Sequence, residues 1–366
     1  MRHLILLCSV GILVLWSVMP VVAGSPEALD WLRAHQNPDG GFAGDFDSTS
    51  SLGATIEAIF AIVGGGEDPM QWDQGGNTPI TFLESQVRGA LAKPGDTAKL
   101  ILASVAADQN PRDFGGVDLV AALEAELDDS GPHGGLEAGN VFEQSLAILA
   151  LKATGRPVPA PAADWLVDVQ LADGSWSWNG DTMPGSSDSN STALAVQALV
   201  AAGGQDAAVS QALEYLRGIQ NEDGGFPYQK PSDFGSDTDA NSTAYVIQAL
   251  IATGNDPAGD DWALGEITPT AALIALQLEN GAFAWQAAVP GDNFLATVQA
   301  VPALAGKAFL DVTGSVDVGE VAAPVELPVT GGEQDAPSRH LSVGELVLVA
   351  VGLALAGTGL SLPRYV

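Results

Sequence analysis

Six carboxylates stand near the starts of apolar stretches: Asp47, Asp96, Glu143, Asp188, Asp239 and Asp292. Two such groups facing each other across a cleft are what glycoside hydrolysis needs, one as acid and one as base or nucleophile. The same position has a plainer use. A carboxylate at a helix start accepts the free backbone N–H groups and complements the helix dipole. A third use is a ligand-binding rim. Beside the carboxylates stand the amides Asn190, Asn241 and Asn293, and three turns in which two aromatics flank one residue. These are Trp176-Ser177-Trp178, Phe226-Pro227-Tyr228 and Phe283-Ala284-Trp285. The first aromatic of each reads as a wedge between helices. The second is less constrained, so Trp178, Tyr228 and Trp285 are free to ring a mouth with Asp47, Asp188, Asp239 and Asp292. Flat apolar faces beside hydrogen-bonding groups suit a large amphipathic ligand or a sugar.

Other chemistries are excluded by residue type. The single cysteine, Cys8, lies in an N-terminal apolar segment expected to be removed, so disulfides, thiolate catalysis and Cys-ligated zinc are not expected. The histidines, His3, His35, His133 and His340, are scattered and suggest neither a metal site nor a Ser-His-Asp set. Clustered Asp and Asn are candidates for Ca²⁺, but EF-hand spacing is absent. No catalytic residue and no metal ligand is assigned.

The elements that must position these residues form a repeat. An amphipathic stretch ends in Gln, a turn with Asp-Gly-Gly follows, and an aromatic closes it. Residues 28–42 read ALDWLRAHQNPDGGF, and 165–176, 212–226 and 272–283 are further copies. Degenerate copies centre on Gln86 and Glu126, so the markers fall at 36, 86, 126, 170, 220 and 277. Each unit has a second, more apolar element, such as STALAVQALVAAG at 191–203 and STAYVIQALIATG at 242–254. Apolar nearly all round, these read as buried helices with Asn, Ser, Thr or Asp caps at most starts and Gly at most ends. The first elements are one-faced, as Val209, Leu213, Leu216 and Ile219 illustrate. The pattern predicts an all-α protein: a single (α/α)6 toroid of six helical hairpin repeats, buried helices inside and one-faced helices outside.

The Gln–turn–aromatic units, read with Asn-Ser-Thr-Ala at 190–193 and 241–244, resemble the squalene-cyclase and prenyltransferase repeat superfamily. Its bacterial secreted branch, similar to the helical domain of transcobalamin and intrinsic factor, matches best, over roughly residues 25–310. Triterpene cyclases of the superfamily start an inner helix with DxDDTA, whose middle Asp is the proton donor. Here the matching runs are Asp188-Ser-Asn190-Ser-Thr-Ala and Asp239-Ala-Asn241-Ser-Thr-Ala. An amide at the donor position cannot act as a strong acid. Relatives that hold zinc or a thioester through Cys have no counterpart here. The transcobalamin resemblance implies a corrinoid, but those proteins close it with a second β-domain, for which a stalk and anchor stand here. No cofactor is therefore expected, with corrinoid and Ca²⁺ the candidates.

Composition bounds the partners. The 366 residues carry 13 basic and 45 acidic side chains, net charge −32, which argues against nucleic acid. Residues 1–24 read as a secretory signal peptide. Residues 25–307 form the toroid and 308–340 a stalk. Leu327-Pro328-Val329-Thr330-Gly331 resembles the LPxTG sorting signal, whose partners are a sortase-type transpeptidase and the cell wall. Residues 341–366 read as a transmembrane helix and tail, the apolar run 341–362 being long enough to span a bilayer. The expectation is an extracellular, surface-anchored, non-catalytic module binding a small molecule, glycan or protein. The alternatives are a terpenoid-cyclase-like enzyme, needing a dry aromatic-lined chamber, and a carbohydrate-active (α/α)6 enzyme, needing opposed carboxylates.

Overall fold

The computed structural model describes residues 25–91, 93–127, 140–233 and 235–319. Among them six outer helices alternate with six inner ones: α1 (Ser25–Ala34) and α2 (Leu52–Gly64), α3 (Pro79–Ala90) and α4 (Pro94–Ala106), α5 (Leu119–Glu126) and α6 (Val141–Ala153), α7 (Ala160–Asp168) and α8 (Ser189–Ala202), α9 (Asp206–Ile219) and α10 (Ala240–Ala252), α11 (Pro269–Ile274) and α12 (Phe294–Leu304). Each even-numbered helix packs on the next, and α12 packs back on α2, so the inner ring is closed. The outer helices lean on it: α1 on α12 and α2, α3 on α2 and α4, α7 on α6 and α8, α11 on α10 and α12.

Residue pattern explains which helix goes where. In α8 every residue from Ser191 to Leu199 is buried. In α9 burial is confined to Ala208, Ala212, Leu216 and Ile219, one stripe at helical spacing. The capping reading also holds. Ser51, Asn140, Asp188, Asp239 and Asn293 each accept a backbone N–H at the starts of α2, α6, α8, α10 and α12. Helix α4 instead starts at Pro94 with no side-chain cap.

The turn motif is a set of staples. The Nε2 of Gln36, Gln170, Gln220 and Gln277 donates to the carbonyl four residues on, at Gly40, Gly174, Gly224 and Gly281. The first three donate as well to Trp72, Ala208 and Trp262 of the next unit. Gly174 has φ +89°, and a Cβ there would lie 2.4 Å from the Gln211 carbonyl oxygen, so only glycine fits. Next, the N–H of the buried aromatics Phe42, Trp176, Phe226 and Phe283 donates to Thr55, Thr192, Thr243 and Thr297 on the following inner helix. Gln86, in a degenerate copy, is exposed, and its Nε2 donates to its neighbour Ser85 rather than to a turn carbonyl.

Two expectations change. First, the fold is not purely helical. Two ribbons, β1 (Trp176–Ser177) with β2 (Ser187–Asp188) and β3 (Phe283–Gln286) with β4 (Val289–Asn293), join turns to inner helices. Second, residues 308–319, read as stalk, pack into the toroid. Helix α13 (Phe309–Thr313) touches α2, α4 and α6, and Phe309 and Val312 join the core because both are apolar and nearly unexposed. Beyond it, Val316 and Val318 N–H donate to Ala153 and Thr154 at the end of α6. Arg112 and Arg156 hold the Gly319 carbonyl. The turn of the third unit, the signal segment, the sorting motif and the membrane segment lie outside the described residues. Among the described residues no helix is long and apolar enough to cross a membrane.

Candidate functional site

The inner helices all begin at one end of the ring, and among the described residues the starts of α6, α8, α10 and α12 are held by the turn of the next unit. Val141 N–H at the start of α6 donates to the Trp178 carbonyl at 3.0 Å. Ser189 N–H at the start of α8 donates to the Tyr228 carbonyl at 2.8 Å. Asp239, capping α10, pairs with Gln286 beside Trp285. At the start of α12 the N–H groups of Phe294 and Leu295 donate to the Asp45 carboxylate, which the first unit's turn supplies. The same contact thus recurs where the ring closes. It leaves the rings of Trp178, Tyr228 and Trp285 on the rim, 55, 50 and 43% exposed. The first aromatics, Trp176, Phe226 and Phe283, are fully buried wedges.

The rim carboxylates divide. Asp188 and Asp239 are buried N-caps whose Oδ1 atoms accept Ser191 and Ser242 N–H at 2.6 and 2.7 Å. Burial pushes Asp239 up to about 6, against the Ser242 bonds that stabilise its anion. Burial raises Asp188 too, opposed by Ser191 and by a hydrogen bond from Tyr228. The Tyr228 phenol is pushed to about 12, by burial first and then by the Asp188 charge. Asn190 and Asn241 are half-buried in the first turns of α8 and α10, and Asn241 donates to Gln299 Oε1 at 2.9 Å. These four polar residues share the starts of α8 and α10, and Asp188 and Asp239 both lie beside Tyr228. Three others do not join them in that way. Asp292 is held outward by Trp31 Nε1 and Asn280 Nδ2, at 3.0 and 2.9 Å. Asn293 has its oxygen taken by Ala296 N–H in capping α12. Asp47 is exposed in the first turn, and the residue that reaches an inner helix there is Asp45.

Sequence reasoning also missed Phe46. It stands fully exposed next to Asp45, at the turn position that carries Trp178, Tyr228 and Trp285 in other units. It follows its buried aromatic by four residues rather than two, so the triplet pattern does not reveal it. Glu143 is a further rim acid. Burial and the charge of Asp96 raise its pKa, which marks two neighbouring carboxylates on α6 and α4.

Below the rim the axis is filled. Counted from each cap, the sixth residues of α2, α4, α10 and α12 are Glu57, Lys99, Tyr245 and Gln299. Lys99 Nζ donates to Glu57 Oε1 at 2.9 Å and lies 5.7 Å from the Phe142 ring. The ninth residues include Phe60, Gln197, Gln248 and Pro302, and Phe309 of α13 rises against them. The cavity left between Glu57, Tyr245, Gln248, Gln299 and Phe309 is about 20 Å³, the room of a water molecule.

This closed double ring of helices is an α/α toroid of the terpenoid-cyclase type. The chain belongs to the prenyltransferase α/α toroid domain family, whose model matches residues 6–82 and 141–285. No curated protein matches it in sequence. Among solved structures it is similar to the type II terpene cyclase MstE from Scytonema, at 13% identity and TM-score 0.56 over 77% of this chain and 96% of that one. It is similar to haptocorrin in complex with Cbi, at 18% identity and TM-score 0.51 over 80% of this chain and 69% of that one. A protein from Actinoplanes aligns at 15% identity and TM-score 0.52 over 77% and 98% of the two chains. An enzyme and a binding protein share the fold, so the fold does not choose between these activities.

Proposed function

We propose that the chain is a non-catalytic binding or interaction module, secreted and held at the cell surface through its C-terminus, with the rim as its binding face. The observation that carries this reading is the filled axis beneath a half-exposed rim. MstE has been captured with geranylgeranyl dihydroxybenzoate. A cavity of about 20 Å³ has no room for a molecule of that size. The amides Asn190 and Asn241 occupy the positions that the cyclase resemblance assigns to the acid. Asp188 and Asp239 are engaged in capping, which favours a structural duty over paired-acid hydrolysis.

The test is thermal denaturation of the full chain against corrinoids, glycans, isoprenoids and Ca²⁺. A ligand of the folded state raises the melting temperature by mass action. A shift lost in Asn241→Ala and Trp285→Ala supports the rim. A shift that both variants retain, or product formation from an isoprenoid, defeats the reading. For the anchor, the proposed routes are sortase cleavage between Thr330 and Gly331 or retention by 341–362. A C-terminal peptide of wall-released protein ending at Thr330 supports the first. Intact protein extracted by detergent supports the second.

A further inference from the structure

We propose that the exposed rings of Trp178, Tyr228, Trp285 and Phe46 are a docking strip for a polysaccharide chain that carries no negative charge. The proposal rests on the rim being the binding face and names the ligand class.

Four consecutive turns present one exposed aromatic each, and each is fixed beside the same backbone or carboxylate contact to an inner-helix start. The rings are therefore carried on ordered backbone, and aromatic side chains lose little rotamer freedom on contact. Neighbouring packed helices lie about 8–10 Å apart. Turns that hold neighbouring inner helices are set apart by about that helix spacing, beyond the width of one sugar ring. A monosaccharide meets one platform, whereas a chain meets several. The ring faces suit the C–H face of a pyranose, and the half-buried amides Asn190 and Asn241 at the starts of α8 and α10 offer polar groups to hydroxyls at the same rim. Charge narrows the class. The rim holds Asp96, Glu143, Asp188 and Asp239, and the chain carries net charge −32, so a polyanion is repelled while a neutral or amine-bearing glycan is accepted. An open strip also fits a polymer passing over the ring better than a small molecule enclosed within it.

The experiment titrates the full chain with cellohexaose and chitohexaose, with their dimers, with the polyanion hyaluronan, and with zwitterionic phosphatidylcholine vesicles, following tryptophan emission and heat. The expected result is a hexamer bound at least tenfold tighter than its dimer, and no binding of hyaluronan. Alanine at Phe46, Trp178 or Trp285 should weaken the hexamer about threefold to tenfold, with an unchanged melting curve, and Tyr228→Phe, which keeps the ring, should keep most of the affinity. Trp178→Tyr should keep most of the affinity. Equal affinity for hexamer and dimer, or no binding of either, overturns the proposal. If the hexamers do not bind while vesicle binding, or a corrinoid, isoprenoid or Ca²⁺ shift from the thermal screen, is lost in the same variants, the polysaccharide is wrong and the rim stands. If no binding responds to any of the alanine variants, both readings fall.

Discussion

The backbone N–H of Phe309 donates to Oε1 of Gln197 at 2.9 Å, across 112 positions of sequence. Gln197 sits in the middle of α8, so this bond fastens the segment after the last repeat to the centre of the toroid. Gln197 Nε2 is left buried without a hydrogen-bond partner among the described residues, so the glutamine gives up one bond to hold this segment. A chain ending at Lys307 loses Phe309 and Val312 from the core, whereas one ending at Gly319 keeps them. Ending at Lys307 should lower the denaturation midpoint strongly, and ending at Gly319 should not. Phe309→Ala alone should cost about 3–5 kcal/mol in urea unfolding.

The Gln staples predict a graded series. Gln36→Ala and Gln220→Ala each leave two buried carbonyls short of a donor. The expected loss is about 1–3 kcal/mol each. Gln86→Ala should stay within about 0.5 kcal/mol, as for an ordinary surface change. Chemical denaturation of the three variants checks the order.

Ring closure depends on Asp45 rather than Asp47. Asp45→Ala frees two N–H groups at the start of α12 and should cost about 1–2 kcal/mol. Asp47→Ala should be neutral. Hydrogen exchange at Phe294 and Leu295 should accelerate in the first variant alone.

Asp239 sets a pH dependence. Its folded-state pKa is raised from 3.8 to about 6, so the folded state holds a proton that the unfolded chain has lost. For this group stability is greatest below 3.8 and falls as pH rises through 6, by roughly 3 kcal/mol in all. Asparagine already caps α6 and α12 in the same way. Asp239→Asn should therefore keep the cap, raise the melting temperature at pH 7 and flatten its change between pH 4 and 7. A variant less stable at pH 7 would show that the Ser242 bonds outweigh the burial of charge.

The repeat was legible because its marks are local. Gln, Asp-Gly and the buried aromatic bond one another within a few residues, and the apolar pattern separates inner from outer helices. Trp178, Tyr228 and Trp285 were legible from their triplets. Contacts across the ring were not. Nothing near Asp45 in sequence announces that it meets Phe294, and Asp292 reads as a rim acid until Trp31 is seen to hold it. Residues 308–319 misled for a related reason. Their Val, Gly and Asp composition matches a linker, and their burial depends on a hole whose shape six helices define together.

The inner helices start at the aromatic rim, and Val316 and Val318 bond the opposite end of α6, so the segment 314–319 lies at the far pole. A pull applied there is taken up first by the Arg112 and Arg156 grips and by the Val316 and Val318 bonds to the end of α6. Those contacts act as a clutch. Shear would strip residues 319 back to 314 before any force reached the starts of the inner helices, leaving the aromatic pole with its shape under load.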